Sequence, residues 1–77
     1  MIFAKDLKVD GLCVLFDEKL CEFHIAEENC LVNTDDEEID MEILDEGDEI
    51  GEPDTSLLVF NKLEFMTFIK ELSSLKV

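Results

Sequence analysis

Residues 7–26 read LKVDGLCVLFDEKLCEFHIA and contain two turn signals between apolar runs. Asp10-Gly11 suits the two positive-φ positions of a type I′ hairpin turn. The run LCVLF, residues 12–16, is apolar on both faces, which is typical of a central strand. After the polar DEK turn, residues 20–26 alternate between apolar and polar side chains, the period of a half-buried strand. The stretch therefore predicts the centre of an antiparallel meander.

The flanking segments extend this meander on both sides. Residues 2–9 are largely apolar and predict a first strand before the hairpin turn. After the EEN turn, where Asn29 tolerates a left-handed conformation, CLVN at residues 30–33 predicts a returning strand. In residues 39–44 every second residue is apolar, which predicts a strand with one face on the core and a charged outer face. LLVF at residues 57–60 predicts the last strand.

Beyond residue 60 the apolar period lengthens from two residues to that of a helix. Leu63, Met66, Ile69 and Leu72 recur at helical spacing. Asn61 followed by Glu64 is a variant of the capping box and predicts a helix over residues 61–75 with Asn61 as its N-cap. The prediction is a single α+β domain spanning residues 1–77, a small antiparallel β-meander of four to six short strands covered by one C-terminal α-helix.

One sheet face is left without a clear role in this arrangement. The C-terminal helix is expected to cover the other face, so this one would carry Cys30, Val32 and His24. These side chains are typical neither of a core nor of a solvated surface. A dimer interface, or the docking face of a small regulatory subunit, is therefore one interpretation of this face.

Composition limits the classes of partner. The 77 residues are 47% hydrophobic and carry 21 acidic residues against six lysines, with no arginine and a net charge of −15. The apolar share is too high for a wholly disordered acidic chain, and the charge excludes a phosphate-binding patch and disfavours anionic membranes. We expect a basic protein as partner, no direct binding to nucleic acid and no membrane contact, with the chain as monomer or homodimer.

Neither the cysteines nor the other residues form a recognisable chemical motif. Cys13, Cys21 and Cys30 match no disulfide or zinc spacing and are expected to be buried free thiols, and the absence of a signal peptide indicates the cytoplasm. His24 could assist a cysteine, but the chain has no Gly-rich phosphate loop or serine elbow, so we expect no enzyme and no cofactor. DEGDEIGE, residues 45–52, does not fit the EF-hand pattern, so no metal site is predicted, although weak divalent binding by this loop stays open.

The acidic segment TDDEEIDMEILDEGDEIGEPD, residues 34–54, contains twelve carboxylates and no basic residue. A block of like charge is more typical of an interaction element than of a solvated face, which usually mixes signs. Acidity that serves solubility alone is the alternative interpretation. Gly47, Gly51 and Pro53 predict that the segment continues as a long loop to residue 56. The predicted partner contacts lie within residues 35–54 and are Asp35, Asp36, Glu37, Glu38, Asp40, Glu42, Asp45, Glu46, Asp48 and Glu49.

The charge density of this segment determines whether it could imitate a nucleic acid. Duplex DNA carries about one charge per 1.7 Å of axis, so a single strand bearing Asp40 and Glu42 is too sparse to imitate it. The density becomes comparable only if the acidic loop packs beside the acidic strand. In size and charge the chain resembles the small acidic inhibitors of phages and mobile elements, including DNA mimics, anti-restriction and anti-CRISPR proteins.

This resemblance implies a non-enzymatic inhibitor of a nuclease, a CRISPR or restriction effector, or a DNA-binding regulator. An immunity or antitoxin protein that neutralises a basic toxin, and the regulatory subunit introduced above, remain the alternatives. A phage-encoded inhibitor would act in the bacterial host cytoplasm.

Overall fold

A computed structural model describes residues 1–76 and shows one four-stranded antiparallel sheet, with neighbouring strands in sequence order, followed by one helix. This confirms the predicted α+β class. Two short 3₁₀ helices, Glu28–Cys30 and Met41–Ile43, lie in the connection between the third and fourth strands. The elements are β1 (Ile2–Asp6), β2 (Leu12–Asp17), β3 (Glu22–Glu27), β4 (Leu58–Asn61) and α1 (Lys62–Ser73).

The first hairpin has the predicted turn. Asp10 and Gly11 have φ angles of 45° and 67°, and the Leu12 amide donates to the Val9 carbonyl at 2.8 Å, as a type I′ turn requires. The strand before it is shorter than the predicted residues 2–9. Lys8 has φ 60° and its amide donates to the Asp6 carboxylate at 2.8 Å, so the chain leaves the sheet after Asp6.

The second hairpin begins its returning strand two residues later than predicted. The Asp17 carboxylate accepts hydrogen bonds from the Lys19 and Leu20 amides, and this local turn extends through Cys21, which has φ 52°. Pairing in β3 therefore starts at Glu22, opposite Asp17. Cys21 is exposed rather than packed on a strand face.

The hydrophobic core lies on one face of the sheet. Side chains of Cys13, Leu15 and Ala26 point to this face and are fully buried. The connection between β3 and β4 covers them with Leu31, Met41 and Ile50, while Phe3 of β1 completes the cluster. At about 1.5–3 kcal/mol for each large side chain removed from water, this cluster is the main stabilising element of the fold.

Two predicted strands do not form in that connection. Residues 28–30 are a 3₁₀ helix that includes Asn29, whose φ is not positive, and Val32 makes only an isolated bridge to Glu38. In place of a strand over residues 39–44, the Asp40 carboxylate accepts from the Glu42 amide and caps a second 3₁₀ helix. Local side chain–backbone bonds of Asp and Asn compete with sheet pairing in this connection.

The helix α1 has the predicted start and a somewhat earlier end. The side chain of Asn61 accepts from the Glu64 amide at 2.8 Å and the Glu64 carboxylate accepts from the Asn61 amide at 3.0 Å, which is a complete capping box. The helix ends at Ser73 rather than at residue 75. Phe65 stacks on Phe23 of β3 with ring centroids 4.2 Å apart, so α1 lies on the sheet face opposite the core.

The sheet face predicted to carry Cys30, Val32 and His24 is not an open docking surface. Val32 is buried, and its carbonyl accepts from the Gly51 amide, because the connection 28–54 covers this face. Of the three cysteines only Cys13 is buried as expected, and burial raises the pKa of its thiol to about 11. Cys30 is partly buried, and all three are free thiols.

Candidate acidic interaction site

The acidic segment packs against the hydrophobic core and does not extend into solvent as a free tail. Met41 and Ile50 are buried in the core cluster, with Ile39 and Leu44 packed against it. The chain then follows the outer edge of β1, where the Phe3 amide donates to the Asp48 carbonyl at 2.8 Å. These contacts fix a segment whose composition is typical of a disordered tail.

Between the attachment points the segment is a series of tight turns. The Asn33 side chain accepts from the amides of Asp35 and Glu37 at 2.8 and 3.2 Å, and the Asp48 carboxylate accepts from the Asp45 amide at 2.9 Å. Gly47 supplies a φ of 97° that a side chain would disfavour. The carboxylates therefore project from defined backbone positions.

All ten predicted contact residues are exposed. Within residues 1–76 the lysine–carboxylate pair is Lys8–Asp6 at 3.1 Å, so no lysine forms a close pair with a carboxylate of the segment. The predicted arrangement of Asp40 and Glu42 on one strand face is wrong, because Asp40 caps the 3₁₀ helix instead. The charges are available to a partner, but their spacing is set by turns and not by a strand.

An acid-lined hollow of about 530 Å³ opens between the first hairpin turn and this segment. Desolvation raises the pKa of Glu28 there, and the neighbouring carboxylate of Asp40 raises it further by hydrogen bonding and repulsion. Sequence reasoning missed three of these acids because only the folded hairpin brings residues 10, 27 and 28 beside the segment. The hollow's carboxylates are Asp10, Glu27, Glu28, Glu38 and Asp40.

A second cluster lies outside the acidic segment. One ligand atom each from Asp17, Glu22 and His24 falls within 4.8 Å of the other two. His24 Nδ1 hydrogen-bonds with the Ser56 hydroxyl at 2.7 Å, while its Nε2 is buried without a hydrogen-bond partner. One imidazole and two carboxylates could hold a divalent cation such as Zn²⁺.

The sequence signal for this cluster was incomplete. Glu22 and His24 are two residues apart on one strand and so share a face, but the cross-strand pairing of Asp17 with Glu22 is known only from the sheet register. Asp17 also uses one carboxylate oxygen to hold the turn at residues 19 and 20. The prediction that the chain binds no metal stays a prediction.

No family model, curated protein or solved structure matches this chain. In residues 1–76, no helix has both the length and the apolar character needed to cross a membrane.

Proposed function

We propose that this protein is a non-enzymatic inhibitor whose residues 35–54 bind the basic nucleic-acid-binding surface of another protein. The observation that carries the proposal is the combination of twelve carboxylates without a basic residue and their attachment to the hydrophobic core. A nuclease, a CRISPR or restriction effector, or a DNA-binding regulator has such a surface, rich in the Lys and Arg that contact phosphates. Binding would take place in the cytoplasm, where these proteins meet nucleic acid.

The acidic strand does not form, but the turns of the segment still concentrate its charge to a density of the same order as that of a nucleic acid. Residues 1–76 extend over about 41 Å along their longest axis, so twelve carboxylates spread over that length would average about one per 3.4 Å. That is about half the linear charge density of duplex DNA. Asp10, Glu27 and Glu28 add carboxylates at the hollow beside the segment. The density is about twice what a single strand with alternate acids, about 7 Å apart, would give.

Attachment of the segment also favours tight binding. A disordered acidic tail must lose its conformational freedom when it binds, which lowers affinity. Here the buried side chains of Met41 and Ile50 order the segment before any partner arrives. Long-range attraction between opposite charges would speed encounter, and it would weaken as salt rises.

The proposal is tested by affinity capture from host-cell lysate with two matched baits. One carries Glu42→Gln and Glu46→Gln in the acidic segment, and the other carries Glu18→Gln and Glu71→Gln outside it. All four glutamates are exposed, so the two baits have equal net charge and little cost in stability. A nucleic-acid-binding protein should elute at lower salt from the first bait than from wild type, and at unchanged salt from the second.

A sixfold variant provides the stronger perturbation. It changes six acids to Asn or Gln, chosen because their carboxylates make no hydrogen bond in the fold. These acids are Asp35, Asp36, Glu42, Asp45, Glu46 and Glu49. Capture should be abolished while the circular dichroism spectrum is retained. Undiminished capture of the same protein by this folded variant would reject the proposal. Capture of a single basic toxin that duplex DNA does not displace would replace it with an immunity function.

A further inference from the structure

The helix α1 leaves part of its sheet face uncovered. It lies over β3 and β4, and beside it runs a groove of about 610 Å³ whose walls are apolar side chains apart from Lys5. The first hairpin forms one wall of this groove, and α1 forms the other. Leu58 of β4 and Ile69 and Leu72 of α1 line it with 46%, 48% and 49% of their surface exposed.

Exposed apolar side chains are concentrated around this groove. Residues 1–76 contain eleven exposed large apolar side chains, and eight of them are residues 9, 57 and 58 and five residues within 63–75. Leu20 and Ile43 lie elsewhere, and Val59, which pairs with His24, points to the other face of the sheet. A soluble monomer normally scatters such residues singly, and a contiguous patch marks an interaction surface. We call residues 9, 57, 58 and 63–75, with the groove beside them, the apolar face.

The sheet edge within the apolar face is also open. β4 is the last strand of the sheet, and among the described residues no backbone group outside β3 pairs with it. The opposite edge differs, because residues 47–50 bond to β1 and cover it. An uncovered apolar edge strand offers a template for pairing with another chain.

Charge distinguishes the apolar face from the rest of the molecule. Lys62, Lys70 and Lys76 lie on or just after α1, and Lys5 lines the groove. The acidic segment packs through Met41 on the face that carries Cys13 and Leu15, opposite the face that α1 covers. Two molecules with a net charge of −15 could therefore meet here without placing their acidic segments against each other.

The area of the apolar face fits an interface between two copies. At about 100 Å² for a fully buried large aliphatic side chain, eight side chains exposed by a little more than half on average present roughly 450 Å². A standard interface buries about 800 Å² per partner, of which some 60% is apolar, or roughly 500 Å². We propose that a second copy of this chain covers the apolar face and that the protein is a two-fold symmetric dimer.

This dimer does not depend on the proposed inhibitor function. The two acidic segments would lie away from the interface and could engage two basic surfaces, or one extended surface, at the same time. Apolar contacts between like-charged molecules are strengthened by salt because salt screens the repulsion, whereas binding through the acidic segment is weakened by it. Salt dependence therefore separates the two proposals.

Sedimentation velocity of the full chain from about 1 to about 200 µM tests the dimer, a range that brackets micromolar dissociation constants. Leu72→Lys and Leu20→Lys form the matched pair, since both add one positive charge at an exposed leucine, but only Leu72 lies in the apolar face. Wild type and Leu20→Lys should sediment at twice the chain mass of 8.8 kDa. Leu72→Lys should raise the dissociation constant about 100-fold or more, because both copies lose the contact.

A dye that fluoresces on exposed apolar surface gives a second readout. The wild-type dimer should bind anilinonaphthalene sulfonate weakly, and Leu72→Lys should bind it strongly while keeping its helical circular dichroism. If Leu72→Lys does not fold, Leu57→Lys replaces it, since residue 57 precedes both β4 and α1. A wild-type protein that stays monomeric at the highest concentration, or a Leu20→Lys variant that dissociates equally, would overturn the dimer. A monomer that binds the dye strongly would instead assign the face to a different partner.

Discussion

The replacement Ile50→Ala tests whether the acidic segment belongs to the folded core. Ile50 is 2% exposed, packs in the core cluster, and exchanges backbone hydrogen bonds with Met1 at 2.7 and 2.9 Å. Truncating a buried Ile to Ala costs about 2–5 kcal/mol through lost transfer energy and the cavity that remains. At roughly 0.05–0.15 kcal/mol per residue, 77 residues give a total stability of about 4–12 kcal/mol. The replacement should therefore remove at least about a sixth of the unfolding free energy, and nearly half of it at the middle of both ranges.

The assay is urea unfolding followed by circular dichroism at fixed salt, with Ile43→Ala as the control. Ile43 is 73% exposed and lies in the same acidic segment, so the same chemical change there should alter the unfolding free energy by less than about 0.5 kcal/mol. Limited proteolysis of the two variants complements the unfolding curves. In the Ile50→Ala variant, cleavage within residues 34–54 should accelerate, because local opening of the segment becomes easier.

Equal and small effects of the two replacements would refute the reasoning. The acidic segment would then be only weakly attached, and its carboxylates would behave as those of a mobile tail. The segment would then lose conformational freedom when it binds, as a disordered tail does, although its charge would remain.

Three further predictions follow from local contacts. Burial and the neighbouring Asp40 raise the pKa of Glu28, so the Glu28 carboxylate binds a proton more tightly in the folded state than in the unfolded state. The folded state should therefore become more stable as the pH falls from the raised pKa of the folded state toward 4.5, the ordinary pKa of the unfolded state. Glu28→Gln should accordingly raise the melting temperature at neutral pH, and the gain should vanish below about pH 4.5, where both states of the wild type are protonated. Asn61→Ala breaks the capping box of α1 and should lower the unfolding free energy by about 1 kcal/mol; urea unfolding without that loss would contradict the assigned helix start. Iodoacetamide followed by peptide mass spectrometry should modify the exposed Cys21 well before the buried Cys13, whose thiol has a pKa of about 11, and equal rates would contradict the assigned burial.

The predictions from sequence that the fold confirms depend on local chemistry. The positive φ angles of Asp10 and Gly11 and the reciprocal bonds of Asn61 and Glu64 are determined by residues within one turn. These patterns do not depend on residues far away in the sequence. They predict the first hairpin and the start of the helix, and a hairpin followed by a helix indicates the α+β class.

The wrong predictions concern strands, because a strand forms only with a partner strand, which residue spacing does not identify. The apolar alternation at residues 39–44 was real, since Met41 is buried and Ile39 packs on the core. A 3₁₀ helix returns to the same side every three residues, however, so Met41 and Leu44 face the core while Ile43 is exposed. The hydrogen bond from the Glu42 amide to the Asp40 carboxylate favours the 3₁₀ helix over a strand, and the apolar alternation gives no sign of this bond.

The sites that sequence reasoning missed share one cause. Asp17 reaches Glu22 and His24 through cross-strand register, and Asp10 reaches the acidic hollow through the hairpin turn. Neither relation is visible in residue spacing. The helical stripe at Leu63, Met66, Ile69 and Leu72 was correctly periodic, but phenylalanines 65 and 68 make the sheet contacts and leave that stripe exposed.

Competition with duplex DNA tests the central claim most directly. The partner captured from lysate is bound to the immobilised protein at fixed moderate salt, and duplex DNA of unrelated sequence is added in increasing amounts. If residues 35–54 occupy a nucleic-acid-binding surface, DNA should release the partner in proportion to its concentration, and higher salt should lower the protein's own affinity for that partner. A partner that DNA cannot displace and that stays bound at high salt would contradict the account.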